Sequence, residues 1–409
     1  DRMIKSIFVV DSTQNVIAER HFFGVIDRSI LTRFFETAHR GEPVIELGAN
    51  YVIPISVKDV QFIAITDEES SPMMVITFLH RISGLARLYF DDVTAKVLKD
   101  NFITVYQLID EICDGGHPMN TEPNVISTLV DPTSRSAAKS ATEEIHDKKL
   151  PTECMTAIPW RGGGITHSRN NVYFDIVENV DAVIDSSGVS SSASVRGHID
   201  MKCNLSGTPD LLLEFSDPSA LSDCCLHPCV RLKRFEEQKV VSFIPPDGVS
   251  RLLSYRSARM SAAIPFYTTP TVMWNGKNKS GRLKLSCGTR GGYEASGVTI
   301  RIPMGEGINI GTVDVNTGKT AVDIKARVLE WKVGSVSSDL KPELKVIIEN
   351  EEGEGKPKQL PVASVRFSCV QKRSLSGLHI RKLTLSREKY KFFKGVKYII
   401  RAGKFEVRF

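Results

Sequence analysis

Long apolar runs are missing from this sequence of 409 residues. A membrane-spanning helix needs about 18 consecutive apolar residues. The longest apolar stretch near the start, Ile7-Phe8-Val9-Val10, is also too short for the ~7–15-residue core of a signal peptide. Apolar residues make up 41% and charged residues 25% of the chain, as in a globular protein. We therefore expect a cytosolic protein of about two or three domains.

A disulfide framework and a metal motif are missing as well. The eight cysteines are scattered, as expected for reduced thiols. One segment, Cys224-Cys225-Leu226-His227-Pro228-Cys229, is rich in metal ligands, but the second ligand pair that a tetrahedral site usually needs is absent. Buried thiols are the simpler interpretation, and we predict no metal site.

Catalytic and nucleotide-binding motifs are equally hard to find. Gly305-Glu306-Gly307 follows a strand pattern but opens no helix, whereas a phosphate-binding loop needs a helix N-terminus. No nucleophile and base stand out together, although a triad assembled from distant residues would leave no local motif. We predict neither a cofactor nor an enzyme.

The first 130 residues mix strand and helix patterns, which predicts an α+β domain over residues 1–130. A helix capped by Asp27 and two longer helices beginning at Pro72 and near Asn101 have apolar residues at helical spacing. The predicted strands are 4–10, 16–22, 51–57 and 60–66, and a short helix is predicted near 122–130.

Beyond residue 130 the pattern changes twice. Residues 131–157 have few large apolar side chains and no period, which predicts a flexible linker. Residues 158–409 carry strand patterns separated by turns, without long helices, which predicts an elongated β-sandwich of two subdomains.

One strand pattern, Asn171 to Glu178, has a distinctive alternation. Val172 and Phe174 point to one face, and Tyr173 and Asp175 point to the other. An aromatic ring beside a carboxylate forms one wall of a polar-apolar pocket. A half-buried strand with Asp175 at its solvent side is the alternative interpretation.

Positive charge is concentrated at the end of the chain. The net charge is only +5, but residues 371–409 hold 12 Lys or Arg against two Glu. Such a segment suits nucleic acid, an anionic membrane or an acidic peptide, or is a solvated strand face. A basic β module that binds anionic lipid head groups or nucleic acid, without peptide selectivity, is therefore an alternative function.

Several distinctive motifs are spread over the C-terminal part of the chain. They are Ile158-Pro159-Trp160-Arg161, Val172-Tyr173-Phe174-Asp175-Ile176-Val177-Glu178, Leu205-Ser206-Gly207-Thr208-Pro209-Asp210, His227-Pro228-Cys229-Val230-Arg231-Leu232-Lys233-Arg234-Phe235, Val241-Ser242-Phe243-Ile244-Pro245-Pro246-Asp247-Gly248, Ser376-Gly377-Leu378 and Phe393 to Phe405. Together these motifs resemble the medium (μ) subunits of clathrin-type adaptor complexes. The block Lys394-Gly395-Val396-Lys397-Tyr398 is most similar to the adaptor complex 3 branch.

The resemblance implies a longin-like N-terminal domain, a flexible linker and an all-β μ-homology domain over residues 158–409. It also implies binding of tyrosine-based sorting signals, Tyr-x-x-Φ with a bulky apolar Φ, as an added strand. Three sets of residues follow from it: Tyr173, Asp175, Lys202 and Lys397 in a tyrosine pocket; Val172, Phe174, Ile380, Leu383 and Val396 in a Φ pocket; and Arg231, Lys233 and Arg234 as membrane contacts.

The sequence departs from the endocytic relatives at three positions of these pockets. Gly395 replaces a tryptophan, Lys397 replaces an arginine, and Tyr173 replaces a phenylalanine. Loss of an aromatic stack removes about 0.5–1.5 kcal/mol, and lysine lacks the planar fork of arginine.

The resemblance further implies partners and a location. The partners would be two large subunits of β and δ type, a small σ subunit, Tyr-x-x-Φ cargo tails and an anionic phosphoinositide membrane, with no nucleic acid. The location would be cytoplasmic, peripheral on Golgi and endosomal membranes and on vesicle coats.

Overall fold

The structure is a computed structural model of the chain. It describes residues 3–37, 42–66, 70–90, 92–130, 158, 160–221, 223–257, 263–274, 279–305, 307–350 and 360–409. The chain divides into two compact units, Asp1–Gly162 and Gly163–Phe409. The predicted linker, residues 131–157, lies outside the described residues.

The first unit is an antiparallel sheet with helices, as predicted. The sheet has the order β2-β1-β5-β4-β3. Its elements are β1 (Ser6–Asp11), β2 (Val16–His21), α1 (Ser29–Thr37), β3 (Ile45–Leu47), β4 (Asn50–Val57), β5 (Val60–Thr66), α2 (Pro72–Phe90), α3 (Ala95–Asp100), α4 (Phe102–Ile112), β6 (Cys113–Asp114), β7 (His117–Pro118) and α5 (Pro123–Leu129).

The run Ile7-Phe8-Val9-Val10 is apolar throughout because both faces of β1 are covered. Ile7 and Val9 belong to one core cluster, which also holds buried residues of α2 and α4. Phe8 and Val10 belong to another, which holds the buried residues of α1. The predicted cap of α1 is confirmed, since the Ser29 backbone N–H donates to Asp27 Oδ1 at 2.7 Å.

The second unit consists mainly of strands. Its elements are β8 (Asn171–Ile184), β9 (Ser190–Asn204), β10 (Asp210–Phe215), β11 (Asp223–Leu226), α6 (Leu232–Gln238), β12 (Val241–Phe243), β13 (Gly248–Ser257), β14 (Phe266–Trp274), β15 (Ser280–Thr289), β16 (Ala295–Pro303), β17 (Ile308–Val315), β18 (Lys319–Asp323), β19 (Val328–Val336), β20 (Glu343–Asn350), β21 (Val362–Gln371), β22 (Ile380–Ser386) and β23 (Phe393–Arg408).

Three sheets organise these strands. A nine-stranded sheet has the order β11-β13-β9-β8-β23-β21-β16-β19-β18, a four-stranded sheet β14-β15-β20-β17, and a three-stranded sheet β12-β10-β22. The second halves of β8 and β23 share a core with the four-stranded sheet, centred on Trp331 and Phe405. The predicted β-sandwich architecture is confirmed.

Two of the longest strands of this unit are neighbours in the nine-stranded sheet. β8 is continuous over 14 residues and β23 over 16. A bulge between Ala402 and Phe405 shifts the register of β23 against β8, and inside it the Lys404 N–H donates to Asp181 Oδ1 at 2.6 Å. The bulge explains why the alternation of β23 breaks in the sequence without ending the strand.

Candidate functional site

The four residues predicted for a tyrosine pocket lie on one face of three neighbouring strands. β8 lies between β9 and β23 in the nine-stranded sheet. Tyr173 is opposite Lys202 on β9, and Asp175 is opposite Lys397 on β23. Directly opposed residues of paired strands share a face, so the structure brings the four side chains together. We call this the polar face of β8.

The Asp175 carboxylate is half-buried, and both lysines are exposed. In the described part of the chain, Asp175 accepts no hydrogen bond and forms no ion pair. A carboxylate accepts up to about four hydrogen bonds, so this group is available to an incoming donor, with two cations on adjacent strands to balance its charge.

A second acid, Asp200, is directly opposite Asp175 on β9. Two facing carboxylates repel each other, but Asp200 has its own partners: Arg251 Nε lies 2.8 Å and His198 Nε2 3.4 Å from its oxygens. Burial alone would raise the pKa of Asp200, but hydrogen bonds from His198 and Arg251 outweigh it and lower the pKa to about 2. Lys202 and Lys397 therefore remain available to balance the charge of Asp175.

Tyr173 reaches across to β23, where Gly395 is its opposed residue. A Cβ atom at Gly395 would lie 2.5 Å from Cδ1 of the Tyr173 ring, which is closer than real contacts allow. The ring also meets Phe393, with centroids 5.8 Å apart. Tyr173 is 41% and Phe393 62% exposed. The tyrosine ring thus lies on the backbone of Gly395, and no larger residue fits at 395 while it stays there.

The other face of β8 carries residues predicted for the Φ pocket, and we call it the apolar face. Val172 and Phe174 are 0% exposed. Val396 is opposite Phe174 and is partly exposed. Ile380 and Leu383 lie half-buried on β22, in the three-stranded sheet. Val172 and Phe174 are therefore in the core, whereas Val396, Ile380 and Leu383 are partly exposed. Val396 lies on the nine-stranded sheet, and Ile380 and Leu383 lie on the three-stranded sheet.

Two sheet edges are open beside these residues. β23 pairs with β8 from Phe393 onward, but its pairing with β21 begins only at Tyr398. Within the described residues, the outer edge of residues 393–397 has no strand partner. β22 is also an edge strand, hydrogen-bonded only to β10 in its sheet.

Tyr398 links the two open edges. Its ring meets His379 edge-on, with centroids 5.3 Å apart. Burial raises the pKa of Tyr398, and a hydrogen bond from the Ile380 backbone partly offsets this. The start of β22 therefore lies next to the point where β23 loses its second partner.

The three predicted membrane contacts differ in their surroundings. The Arg231 guanidinium forms two hydrogen bonds to Asp210, at 2.7 and 2.9 Å, and a third to Ser242 Oγ at 2.6 Å. Lys233 is exposed on α6, and the exposed Arg234 lies near Gln238 and Ser242. Arg231 therefore holds α6 against β10, whereas Lys233 and Arg234 face solvent.

The cysteine cluster was predicted to consist of buried thiols, which is correct only for Cys229. Cys224 is half-buried and Cys225 is exposed. Both lie on β11, an edge strand of the nine-stranded sheet, so alternate side chains there reach solvent. Among the described residues, no group of three or more His, Cys, Asp or Glu side chains could hold a metal ion.

Sequence reasoning missed two groups beside the site. One is the Asp200–Arg251–His198 set, which depends on the strand register. The other is Glu178, a glutamate that is only 1% exposed. The sequence did indicate that Glu178 is unusual, because it follows Val172, Phe174 and Ile176 in the alternation and is thus an acid on the apolar face of β8.

Comparison with known proteins identifies the family. The model of the "Adaptor complexes medium subunit family" matches residues 158–409, and that of the "Clathrin adaptor complex small chain" matches residues 3–136. The chain belongs to the adaptor complexes medium subunit family. The resemblance stated from the sequence motifs is confirmed.

Relatives of this adaptor medium subunit match it over nearly its whole length. It is 36% identical to "AP-3 complex subunit mu-1" of Gallus gallus and 35% identical to "AP-3 complex subunit mu-2" of Homo sapiens; each match covers 99% of this chain and 100% of the relative. A chain in a "Homology model of the full-length AP-3 complex in an intermediate open conformation" has the same fold, with a TM-score of 0.60 at 17% identity over 99% of both chains.

These relatives fix the general role. The chain belongs to a family of vesicle-coat cargo adaptors and not of enzymes, and the relatives named above are subunits of an adaptor complex. None of the described helices is both long enough and apolar enough to cross a membrane.

Proposed function

We propose that this adaptor subunit recognises Tyr-x-x-Φ sorting signals in the cytosolic tails of membrane cargo, for transport from Golgi and endosomes toward lysosome-type organelles. The observation that carries the proposal is that Tyr173, Asp175, Lys202 and Lys397 lie on one face of β8 and its neighbours, with Val396 on the other face, beside an open sheet edge. The lysosomal direction is what the resemblance to the adaptor complex 3 branch implies.

The spacing of the signal follows from the two faces. An extended peptide that pairs with residues 393–397 alternates its side chains between the polar and apolar faces. A tyrosine beside Asp175 and an apolar residue beside Val396 must then be separated by an odd number of positions. Tyr-x-x-Φ, with a separation of three, meets this requirement, whereas Tyr-x-Φ does not.

The direction of the bound peptide follows from the pairing of β23. The signal's tyrosine lies near Lys397, and β21 covers β23 from Tyr398 onward. The rest of the signal therefore extends toward Phe393, antiparallel to β23. Φ then lies along residues 393–397, on the apolar face that carries the partly exposed Val396.

Selection of tyrosine follows from the chemistry of Asp175. The phenol O–H donates to the carboxylate, and a hydrogen bond to a charged group contributes about 1.5–3 kcal/mol. A phenylalanine would leave Asp175 unpaired and is rejected. Phosphotyrosine would place a dianion beside Asp175 and is rejected too. A short signal of this kind binds at about micromolar Kd.

The same proposal assigns the other partners. The large subunits of β and δ type and the small σ subunit surround the N-terminal unit. Lys233 and Arg234 meet anionic phosphoinositide head groups, each near the surface contributing about 1 kcal/mol, and the protein works on the cytoplasmic side of Golgi and endosomal membranes. Arg231 contributes to this contact only through its position, because Asp210 already pairs with it.

Titration of the full chain with three fluorescent peptides tests the proposal. They are Tyr-x-x-Leu and its Tyr→Phe and Tyr→Ala versions. We expect tyrosine to bind at least about tenfold more tightly than phenylalanine, and Asp175→Ala to abolish the difference. Asp314→Ala, at an exposed position of the four-stranded sheet, is the control that keeps it.

Equal binding of all three peptides to the unmodified chain contradicts the proposal. If binding is unselective and falls steeply with salt concentration, the basic β module that binds lipid or nucleic acid is correct instead.

A further inference from the structure

A buried carboxylate lies on the apolar face of β8, three residues beyond Asp175. Glu178 is 1% exposed. Its Oε1 accepts hydrogen bonds from the Tyr255 hydroxyl at 2.7 Å and from the Ser376 hydroxyl and backbone N–H at 2.5 and 3.3 Å. Its Oε2 accepts one from the Leu375 N–H at 2.5 Å. A buried polar group costs free energy unless it is hydrogen-bonded in this way, so these bonds hold the Glu178 carboxyl to the groups around it.

The Tyr255 side of this arrangement depends on a missing side chain. Tyr255 on β13 is opposite Gly197 on β9, and Gly197 is opposite Glu178 on β8. A Cβ atom at Gly197 would lie 2.2 Å from Cζ of the Tyr255 ring. The ring therefore crosses β9 in the space that glycine leaves, and its hydroxyl reaches two strands away.

The other side of the arrangement is the connection between β21 and β22. Ser374, Leu375, Ser376 and Leu378 are all less than 5% exposed. A buried loop needs partners for its backbone N–H groups, and Glu178 supplies them for Leu375 and Ser376. The Ser374 hydroxyl donates to the Leu378 carbonyl at 2.9 Å and closes the turn.

This turn ends where the open strand begins. β22 starts at Ile380, two residues after Leu378, and carries Ile380 and Leu383. Within its sheet it pairs only with β10, so its position relative to β8 depends on the turn, together with the contacts of His379 and Ile380 with Tyr398 on β23. β8 thus carries Asp175 on its polar face and Glu178, which is bonded to the turn before β22, on its apolar face.

We propose that Glu178 is a positioning residue for signal recognition: by fixing the Leu375–Ser376 turn, it sets the position of β22 and so the distance between the Φ pocket and Asp175. The inference rests on the proposed function. It predicts that Glu178 governs the contribution of Φ and leaves the contribution of tyrosine unchanged.

The test is a comparison of two ratios of affinity on the full chain. The first ratio is Kd for Tyr-x-x-Ala over Kd for Tyr-x-x-Leu, and the second is Kd for Phe-x-x-Leu over Kd for Tyr-x-x-Leu. In the unmodified chain both ratios should be about tenfold or more. In Glu178→Gln the amide N–H₂ faces the Leu375 or Ser376 N–H, so the turn shifts, and the first ratio should fall below about threefold while the second is kept.

Partial unfolding does not imitate this result. A smaller folded fraction multiplies every apparent Kd by the same factor, and this factor cancels in both ratios. Glu406→Gln, on the same sheet and paired with Lys404 at its surface, is the matched control and should change neither ratio. Tyr255→Phe removes one donor and keeps the two backbone bonds, so it should lower the first ratio less than Glu178→Gln does.

The outcomes separate the two proposals. If the unmodified chain distinguishes Tyr from Phe but Glu178→Gln changes both ratios equally or changes neither, the positioning role is wrong and the proposed function stands. If the unmodified chain shows neither ratio above about twofold, the proposed function fails, and this inference with it.

Discussion

Gly395→Ala should introduce a clash with Tyr173 that opposes folding of the C-terminal unit, and this clash should disappear when Tyr173 is removed. An added Cβ would lie 2.5 Å from Cδ1 and 2.9 Å from Cε1 of the Tyr173 ring, whereas ordinary contacts begin at 3.4 Å. The ring must retreat by about 1 Å or change its rotamer, and an off-rotamer side chain costs about 0.5–1.5 kcal/mol. Any retreat also weakens the contact with Phe393.

A second effect has the opposite sign. Replacing glycine by alanine restricts the unfolded chain and stabilises the folded state by about 0.4–1 kcal/mol where the backbone permits it. Gly395 does not have a positive φ, so its backbone does permit it. The net change in the unmodified background is therefore small, and a single variant would be uninformative.

A double-mutant cycle removes this ambiguity. Gly395→Ala is made in the unmodified chain and in Tyr173→Ala, and the free energy of unfolding is measured by urea titration, followed by tryptophan fluorescence because Trp331 is fully buried in the core of the same unit. The effect on the unfolded chain cancels, and we expect a coupling of about 1 kcal/mol between the two positions. A coupling below about 0.3 kcal/mol, within the error of additivity, refutes the contact between the Tyr173 ring and Gly395.

Three further variants test the charges around the site. Asp200→Asn should cost about 1 kcal/mol of unfolding free energy at pH 7, a value reduced for solvent screening because the side chain is partly exposed. Since the folded pKa of Asp200 is lowered to about 2, its stabilisation is present above the unfolded pKa and is lost as the pH falls toward 2; a difference from the unmodified chain that stays constant from pH 6 to pH 3 contradicts this. Arg231→Gln should cost about 1 kcal/mol through the lost pair with Asp210, while Lys233→Gln changes unfolding by less than about 0.3 kcal/mol; equal effects of the two variants would show that Arg231 has no structural role. In co-sedimentation with vesicles that contain phosphoinositide, Lys233→Gln should weaken binding more than Arg231→Gln does.

The sequence predicted long, regular elements well. α2 follows its apolar spacing from Pro72, and β1 and β5 are apolar because the sheet is covered on both faces. The elements that were missed carry weak patterns. α6 buries only Phe235, so helical spacing is invisible, and β17 and β18 are mostly exposed at sheet edges, so they lack an apolar face.

The site was predictable in its residue types and not in its contacts. Alternation along β8 places Tyr173 and Asp175 on one face whatever the fold. Lys202 and Lys397 come from strands far away in the sequence, and only the resemblance to adaptor medium subunits suggested them. The pairing of Asp200 with Arg251 needs the register of β9 against β13, which no local pattern encodes.

The central claim is that the signal's tyrosine and Φ residue occupy opposite faces of β8. Titration of the full chain with Tyr-x-Leu, Tyr-x-x-Leu and Tyr-x-x-x-Leu peptides, with Tyr-x-x-Ala as reference, tests it most directly. We expect that only Tyr-x-x-Leu binds more tightly than the reference, by about tenfold or more, because the other two spacings direct leucine to the polar face. Equal affinity for the three leucine peptides would contradict it.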